Sequence, residues 1–205
     1  MSGSPLAKRY DALYGERLNV FGGGKQSPVV VQMQRLLPAQ STILEMGAGQ
    51  GRNSLYLASF GHIVTARDIS DVGLQQITDA ARENGWSVAT EQRSAIDAVS
   101  GVFGGMISTL MLHHLLPEQA RLVVASMQSS TIPGGFHALE LLCAGGDFAF
   151  RSTHNFFPSV EDALGLYPGW DVLHNSLVIR QAFATKEDGS HMMNPVLSLL
   201  VQKPL

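Results

Sequence analysis

The amino-acid sequence predicts an α/β fold with a Rossmann-like, doubly wound sheet. Three observations support this class: short apolar runs alternate with helix-like segments, glycines separate them, and a glycine-rich turn follows the first run. We predict seven strands in the order 3-2-1-4-5-7-6, mostly parallel, with an antiparallel hairpin strand at the C-terminal end. The 205 residues are enough for a single domain with a sizeable core.

The first five strands are predicted from runs rich in apolar or β-branched residues, which are typical of strands buried on both faces of a sheet. These runs are residues 42–46, 63–67, 88–91, 106–110 and 136–142. Helices are predicted between them where apolar positions cluster or recur three and four residues apart, or where a proline opens the first turn. These segments are residues 53–60, 71–84 and 117–127.

The C-terminal part departs from this alternation. Strand-like runs lie at residues 170–173, 177–185 and 196–202, with a turn at residues 187–190 because Asp-Gly between apolar runs favours a turn. These runs bring the total to eight, one more than the seven strands of the predicted order. Residues 144–169 are irregular apart from a short helix at residues 159–166. We interpret them as a flap over the carboxyl ends of the strands, and a plain surface loop is the alternative.

Composition excludes several classes of function. The 14 basic and 17 acidic residues nearly balance, so the sequence does not favour a nucleic-acid partner. No apolar stretch reaches the roughly 20 residues that span a bilayer, and no secretory signal is evident, so we expect a cytoplasmic protein. Cys143 is the only cysteine and is expected to be an inert buried thiol. The histidines lack metal-ligand spacing, so no metal site is predicted.

A glycine-rich turn at residues 45–51 is the most informative segment. A predicted buried strand runs directly into Gly47, Gly49 and Gly51, and a predicted helix follows. Glycines let the backbone turn sharply and approach a ligand closely, where a side chain would collide. The strand before the turn and the helix after it are typical of a loop that binds a nucleotide-like cofactor.

Two carboxylates end the strands beside this turn. Asp68 closes the second predicted strand, where it can accept hydrogen bonds from both ribose hydroxyls; the alternative is a cap for the turn into the next helix. Glu45 ends the first strand, where a buried acid needs donors. Glu45 therefore either faces a cationic ligand group or anchors amides of the loop, and we favour the first interpretation.

Spacing and charge favour S-adenosylmethionine over a nicotinamide cofactor. The dinucleotide fingerprint is GxGxxG, with a helix N-terminus facing the pyrophosphate. Here Gly51 comes one residue early, and Glu45 precedes the first glycine by two. An acid at that place repels a pyrophosphate but suits a sulfonium and an ammonium group.

Motifs spread over most of residues 27–203 resemble a known family. They are EMGAGQGRNSLYLA at 45–58, GHxVTAxD at 61–68, IST at 107–109, PGG at 133–135, and Gly169-Trp170 with the final hairpin. Together they look like class I S-adenosylmethionine-dependent methyltransferases, in particular the tellurite-resistance (TehB-like) branch. The resemblance leaves the methyl acceptor open.

The resemblance implies roles for individual residues. The glycine loop would hold the methionine part of the cofactor, Asp68 the ribose, and residues 93–95 the adenine edge. Tyr10 and Tyr14 resemble aromatics that close over the cofactor, with ordinary packing as the alternative. Arg52 is either a partner of the cofactor carboxylate or a solvated arginine. In all, the residues expected at the cofactor are Glu45, Gly47, Ala48, Gly49, Gly51, Arg52, Asp68, Ile69, Ser94, Ala95, Thr109 and Tyr14.

Methyl transfer from a sulfonium is an in-line displacement, for which the protein mainly supplies alignment and a dry site. His114, with His113 as the alternative, is the candidate catalytic base, because it follows the fourth predicted strand at the end where ligands bind. Arg151, Phe156 and Arg180 are expected to contact the substrate. The mostly apolar final hairpin favours a neutral or hydrophobic acceptor over an oxyanion.

The sequence thus predicts a methyltransferase that uses S-adenosylmethionine, releases S-adenosylhomocysteine, and methylates a small molecule on oxygen, nitrogen, sulfur or a chalcogen. A nucleotide-cofactor oxidoreductase and a non-catalytic cofactor-binding protein of the same fold are the alternatives. We expect one domain over residues 1–205, in which residues 1–26 cover the cofactor. A monomer and a homodimer are both compatible with the sequence.

Overall fold

The computed structural model describes residues 4–151 and 154–205 and confirms the predicted sheet. Its strands are β1 (Thr42–Met46), β2 (Ile63–Asp68), β3 (Val88–Gln92), β4 (Phe103–Thr109), β5 (Thr131–Leu142), β6 (Asp171–Thr185) and β7 (His191–Gln202). They form one sheet in the order β3-β2-β1-β4-β5-β7-β6. Strands β1 to β5 pair in parallel, and β7 pairs antiparallel with both β5 and β6. The fold is therefore Rossmann-like, as predicted.

The helices in the described ranges include the four that the sequence predicts, at α3, α4, α5 and α7, and three more. They are α1 (Pro5–Glu16), α2 (Pro28–Leu36), α3 (Arg52–Ser59), α4 (Asp71–Asn84), α5 (Pro117–Ser129), α6 (Asp147–Arg151) and α7 (Val160–Gly165). Single turns of 3-10 helix lie at Gly22–Gly24 and Leu112–His114.

Both faces of the sheet are buried, because alternate residues of the central strands pack in opposite directions. Leu44 and Met106 join a cluster with residues of α5 on one face. Ile43 and Ile107 join a second cluster with residues of α2 and α3 on the other face. This arrangement is why these strands are nearly continuous apolar runs in the sequence.

Helices α1 and α2 have no counterpart in the sequence-based prediction. Each begins with a proline at its first turn, and the Ser4 hydroxyl accepts a hydrogen bond from the Ala7 amide to cap α1. The β-branched run of α2 resembles a strand by local propensity, yet Val29, Val30 and Met33 are buried against the sheet. Tertiary packing has overridden the local preference there.

The C-terminal hairpin is longer than predicted. Strand β6 continues through residues 174–176, where polar side chains suggest a break, and a register shift between Val172 and His174 accommodates the irregularity. Strands β5 and β7 also begin about five residues earlier than predicted. The predicted turn is confirmed: Gly189 has a φ of 80°, and the Ser190 amide donates to the Asp188 carboxylate.

Two smaller expectations concern Cys143 and membrane spans. Cys143 is buried, and burial raises the pKa of its thiol above the ordinary value, which disfavours the reactive thiolate. Among the helices of the described residues, none combines the length and the apolar character required to cross a bilayer.

Candidate functional site

The carboxyl ends of β1, β2 and β4 open into one large cleft with a volume of about 1260 Å³. All residues expected at the cofactor line it except Gly51, which starts α3 and is buried. His113, His114 and Arg180 line the same cleft. A cavity that holds one ligand usually measures about 300–1,000 Å³, so this cleft has room for a cofactor and an acceptor together.

The glycine loop has the sharply turning backbone that the sequence predicts. Gly47, Gly49 and Gly51 have φ values of 75°, 56° and 82°, in the left-handed region that disfavours other residues. A Cβ atom would lie 2.5 Å from Met111 at Gly47, 2.8 Å from Tyr14 at Gly49 and 2.5 Å from Ile77 at Gly51. The glycines therefore admit neighbouring protein side chains at close range, and the close approach of a ligand to the loop stays a prediction.

Glu45 is fully buried beneath this loop. Its two carboxylate oxygens accept hydrogen bonds from Asn53 Nδ2 at 2.8 Å and from Ser54 Oγ at 2.6 Å, both on the first turn of α3. Burial raises the pKa of the Glu45 carboxyl, and the two hydrogen bonds oppose that rise. Glu45 thus anchors side chains of α3, and not the loop amides that the sequence suggests as a structural alternative. The Glu45 side chain also lines the cleft.

Asp68 holds the loop from the end of β2. One carboxylate oxygen accepts from the Gly49 amide and the other from the Ser70 amide, each at 2.8 Å. Burial raises the pKa of Asp68, and these amides oppose the rise. These contacts confirm the alternative interpretation, in which Asp68 caps the turn into α4. A carboxylate oxygen can accept more than one hydrogen bond, so Asp68 keeps capacity for a ligand in the cleft.

Three aromatic rings from the N-terminal segment lie over the loop. Tyr10, Tyr14 and Phe21 have pairwise ring centroid distances of 5.5 Å to 6.4 Å. Tyr14 is buried, and its hydroxyl is the group that a Cβ on Gly49 would meet. These rings provide aromatic faces close to the carboxylates of the cleft, a combination that attracts cationic ligands.

The two predicted histidines lie together in the single turn after β4. His114 Nε2 is hydrogen-bonded to the Tyr10 hydroxyl at 2.7 Å, and the ring centroids of His113 and His114 are 4.0 Å apart. Burial lowers the pKa of His113 to about 3 and that of His114 to about 4. Both imidazoles are therefore neutral near pH 7, able to accept a hydrogen bond but weak as bases.

Sequence reasoning missed a buried ion-pair cluster at the cleft wall, centred on Glu140 of β5. The Glu140 carboxylate has no solvent exposure and accepts from Ser27 Oγ at 2.7 Å, Arg180 Nη1 at 2.7 Å and Arg52 Nη2 at 3.3 Å. Arg52 and Arg180 are thus paired inside the protein. The signal was present, because a glutamate within the apolar run 136–142 is expensive unless it is paired.

Four of the remaining predicted residues line the cleft as expected. The Thr109 hydroxyl accepts from Asn53 Nδ2 at 3.1 Å, and Ile69, Ser94 and Ala95 lie along the cleft. Phe156 is a correction: it is 4% exposed in the core, and its neighbour Phe157 lines the cleft instead. The side chain of Arg151 lies outside the described part of the chain.

Among residues 4–151 and 154–205, no group of three or more His, Cys, Asp and Glu side chains is placed to hold a metal ion.

Comparison with known proteins identifies relatives of this chain. The family model for the tellurite resistance protein TehB matches residues 13–199. A probable S-adenosyl-L-methionine-dependent methyltransferase TehB from Haemophilus influenzae is 22% identical over 162 residues, which are 78% of this chain and 57% of that protein. The chain thus spans little more than half the length of this relative.

Solved structures share the fold. The crystal structure of TehB from Haemophilus influenzae superposes with a TM-score of 0.77 at 19% identity, covering 95% of this chain and 67% of that one. The 1,6-didemethyltoxoflavin-N1-methyltransferase of Burkholderia thailandensis superposes with a TM-score of 0.72 at 16% identity, covering 98% and 88%. The match of the family model over most of the sequence shows that the chain belongs to the TehB family.

Proposed function

We propose that this protein is a methyltransferase that transfers a methyl group from S-adenosylmethionine to a small molecule. The observation that carries the proposal is the meeting of Glu45 and Asp68 with the aromatic rings of Tyr10 and Tyr14 in one cleft. Two carboxylates and aromatic faces favour a positively charged ligand, and a pyrophosphate would be repelled there. The names of the TehB relatives support the same activity.

The cleft fits this cofactor in charge and in space. The glycine loop passes along the cleft at Gly47 and Gly49, and Asp68 lies at the next strand end, where a ribose would meet it. We assign the adenine to the side of the cleft lined by Ile69, Ser94 and Ala95. Arg52 is paired with Glu140, so a contact with the cofactor carboxylate would use its remaining donors.

When bound, the cofactor supplies a methyl carbon on a positively charged sulfur. The residues of this chain bind and orient both molecules and exclude water. His114 is fixed by Tyr10, and neutral His113 lies beside it, so both are suited to accept a hydrogen bond from the acceptor. Their lowered pKa values make them weak bases, which favours acceptors that need little help to lose a proton.

We assign covering roles to two segments of a single domain over residues 1–205. Contacts between α1 and α4 support the role of residues 1–26: Ser70 Oγ donates to Asp11 at 2.7 Å, and Gln76 Nε2 donates to the Tyr14 carbonyl at 3.0 Å. Phe148 and Phe157 support the role of residues 144–169, because both line the cleft. The nearly balanced charge and the single buried cysteine are compatible with a cytoplasmic monomer or homodimer.

Calorimetry with S-adenosylhomocysteine tests the proposal. We expect the wild type to bind, and we expect Gly49→Val and Asp68→Ala to lose most of that binding. Asp79→Ala serves as the matched control, since Asp79 is an exposed carboxylate on α4, and it should bind like the wild type. Unliganded thermal unfolding of each variant separates lost binding from lost folding.

Two results would overturn the proposal. One is a folded wild type that does not bind S-adenosylhomocysteine. The other is energy transfer from Trp86, which lines the cleft, to added NADH, which would favour the oxidoreductase alternative.

A further inference from the structure

One wall of the cleft is built from aromatic rings that the cofactor assignment does not use. His113 comes from the turn after β4, Phe148 from α6, and Phe157 from the segment that follows α6. All three line the cleft. We call this set the ring wall.

The geometry of the ring wall suits a flat group. The ring planes of His113 and Phe148 are parallel to within 1°, with centroids 6.5 Å apart. This separation is usual for an offset-stacked aromatic pair, whose centroids lie about 4.5–7 Å apart. The Phe157 ring lies 6.1 Å from His113 with a tilt of 35°. Aromatic rings that line a cleft favour a planar ligand that can stack on them over a tetrahedral one.

Hydrogen bonds hold the ring wall in place. The Phe148 amide donates to Asn194 Oδ1 at 2.8 Å, which ties α6 to β7. Asn155 Nδ2 donates to the His113 carbonyl at 2.9 Å, and the Phe156 amide donates to the Leu115 carbonyl at 2.9 Å. The rings therefore need little reordering to receive a ligand, which lowers the entropic cost of binding.

A chain of contacts joins the ring wall to the glycine loop. Tyr14 lies against Gly49, Tyr10 packs on Tyr14, and the Tyr10 hydroxyl is bonded to His114. His114 lies beside His113, which belongs to the ring wall. An acceptor on the ring wall is thus next to the Tyr10–His114 pair, on the side away from the glycine loop.

The polar groups near this wall argue against an oxyanion. Arg52 and Arg180 both pair with Glu140, so a carboxylate of the protein already offsets part of their charge. Within the described residues, His113 Nδ1 is buried without a hydrogen-bond partner. A ligand with an O–H or N–H group at its edge is better suited to a neutral imidazole than an anion is.

We propose that the methyl acceptor is a planar aromatic or heteroaromatic molecule that stacks on the ring wall, a proposal that rests on the methyltransferase function above. The reacting oxygen, nitrogen or sulfur would lie near the Tyr10–His114 pair. Its lone pair forms the new bond to the methyl carbon as the carbon–sulfur bond breaks. The electron pair of that bond stays on sulfur, and any acceptor proton passes to water or to His114.

Fluorescence titration with 7-hydroxycoumarin, a planar phenol, tests binding in the presence of S-adenosylhomocysteine. Loss of a stacked ring should weaken binding by about tenfold in Phe148→Leu and in Phe157→Leu. Phe150→Leu is the matched control, because Phe150 lies on the same helix α6 but is 75% exposed, and its affinity should match the wild type. Equal affinity of all three variants and the wild type would overturn the proposal.

A turnover panel gives the second readout. It compares planar phenols, thiophenols and nitrogen heterocycles with aliphatic thiols and with selenium and tellurium oxyanions, at equal concentration with S-adenosylmethionine. We expect methylation of planar members only, reduced in Phe148→Leu and unchanged in Phe150→Leu. Methylation of oxyanions or aliphatic thiols alone would overturn the aromatic assignment. Calorimetry with S-adenosylhomocysteine distinguishes a failure of the aromatic assignment from a failure of the methyltransferase function. A protein that does not bind S-adenosylhomocysteine would refute the function itself.

Discussion

The glycine loop and the Glu140 cluster hold their buried carboxylates in different ways. Glu45 is bonded to Asn53 and Ser54, which follow it closely in the chain, and Asp68 is bonded to Ser70. Glu140 is bonded to Ser27, Arg52 and Arg180, which come from three distant elements. The first arrangement belongs to a local motif, and the second exists only after the chain has folded.

This difference explains which part of the site the sequence reveals. A local motif has a fixed spacing, because a strand, a turn and a helix start must follow one another. The partners of Glu140 have no fixed spacing, so their positions in the chain carry no pattern. The difference also has energetic consequences, because Glu140 is paired with two arginines whereas the hydrogen-bond partners of Glu45 are neutral.

The largest expected effect comes from removing the centre of the distant cluster. Glu140→Ala leaves Arg52 and Arg180 without their shared partner and opens a small cavity, so we expect the free energy of unfolding to fall by about 4 kcal/mol. Urea denaturation measures this value. Asp79→Ala, which breaks an exposed pair with Arg82, should cost less than about 1 kcal/mol. Similar costs for the two variants would show that the Glu140 cluster does not stabilise the fold.

The next effect concerns the local motif. Gly51→Ala places a Cβ atom 2.5 Å from Ile77 at a φ of 82°, so strain and overpacking should together cost about 3 kcal/mol. Gly85→Ala has a comparable φ of 67° with nothing within 4 Å and should cost only about 1 kcal/mol. Denaturation of both variants separates close packing from backbone strain, and equal costs would refute the packing argument.

The third expected effect concerns His137, another buried polar residue of β5. His137 is bonded to Thr131 at 2.7 Å and to Tyr167 at 2.9 Å, and burial lowers its pKa to about 3. The unfolded state takes up the proton below about pH 6.5 while the folded state stays neutral. Stability is therefore complete above pH 6.5 and is lost as the pH falls, by up to about 1.4 kcal/mol per pH unit, or about 2 kcal/mol at pH 5.

Denaturation curves between pH 7.5 and pH 5 check this effect, with His137→Gln as the comparison. Glutamine keeps hydrogen-bonding groups for Thr131 and Tyr167 but does not titrate. Its stability should decline less steeply than that of the wild type, with the remaining slope due in part to His113 and His114, whose pKa values are also lowered. Parallel pH profiles would contradict a neutral buried His137.

The smallest expected effect is a difference in stability between variants of two buried serines. Ser54 Oγ donates to Glu45 at 2.6 Å and Ser27 Oγ donates to Glu140 at 2.7 Å. In Ser54→Ala, only Asn53 remains as a side-chain donor to Glu45, whereas in Ser27→Ala two arginines still serve Glu140. We expect Ser54→Ala to be less stable by about 1 kcal/mol than Ser27→Ala in urea denaturation. The opposite order would mean that the arginines contribute little.

Sequence patterns predicted most of the sheet but fewer of the surrounding contacts. The strands β1 to β4 and the helix α4 are close to their predicted bounds, because burial on two faces and helical periodicity leave strong patterns. Helix α2 was missed because its β-branched run contradicts its conformation. Phe156 lies in the core while its neighbour Phe157 lines the cleft, a distinction that the sequence does not give, since an irregular segment has no periodicity that tells core from cleft.

The sequence by itself determined the strands of the sheet and the glycine loop with its two acids, because each depends on neighbours in the chain or on alternating burial. The strand order depends on which strands pair across crossovers, and the sequence indicates it only through the family resemblance. Only the tertiary structure decided that Glu140 pairs with two arginines, that Tyr10 holds His114, and that the ring wall lines the cleft. These contacts join residues far apart in the chain, and the free energy that selects them comes from desolvation and packing in the folded molecule.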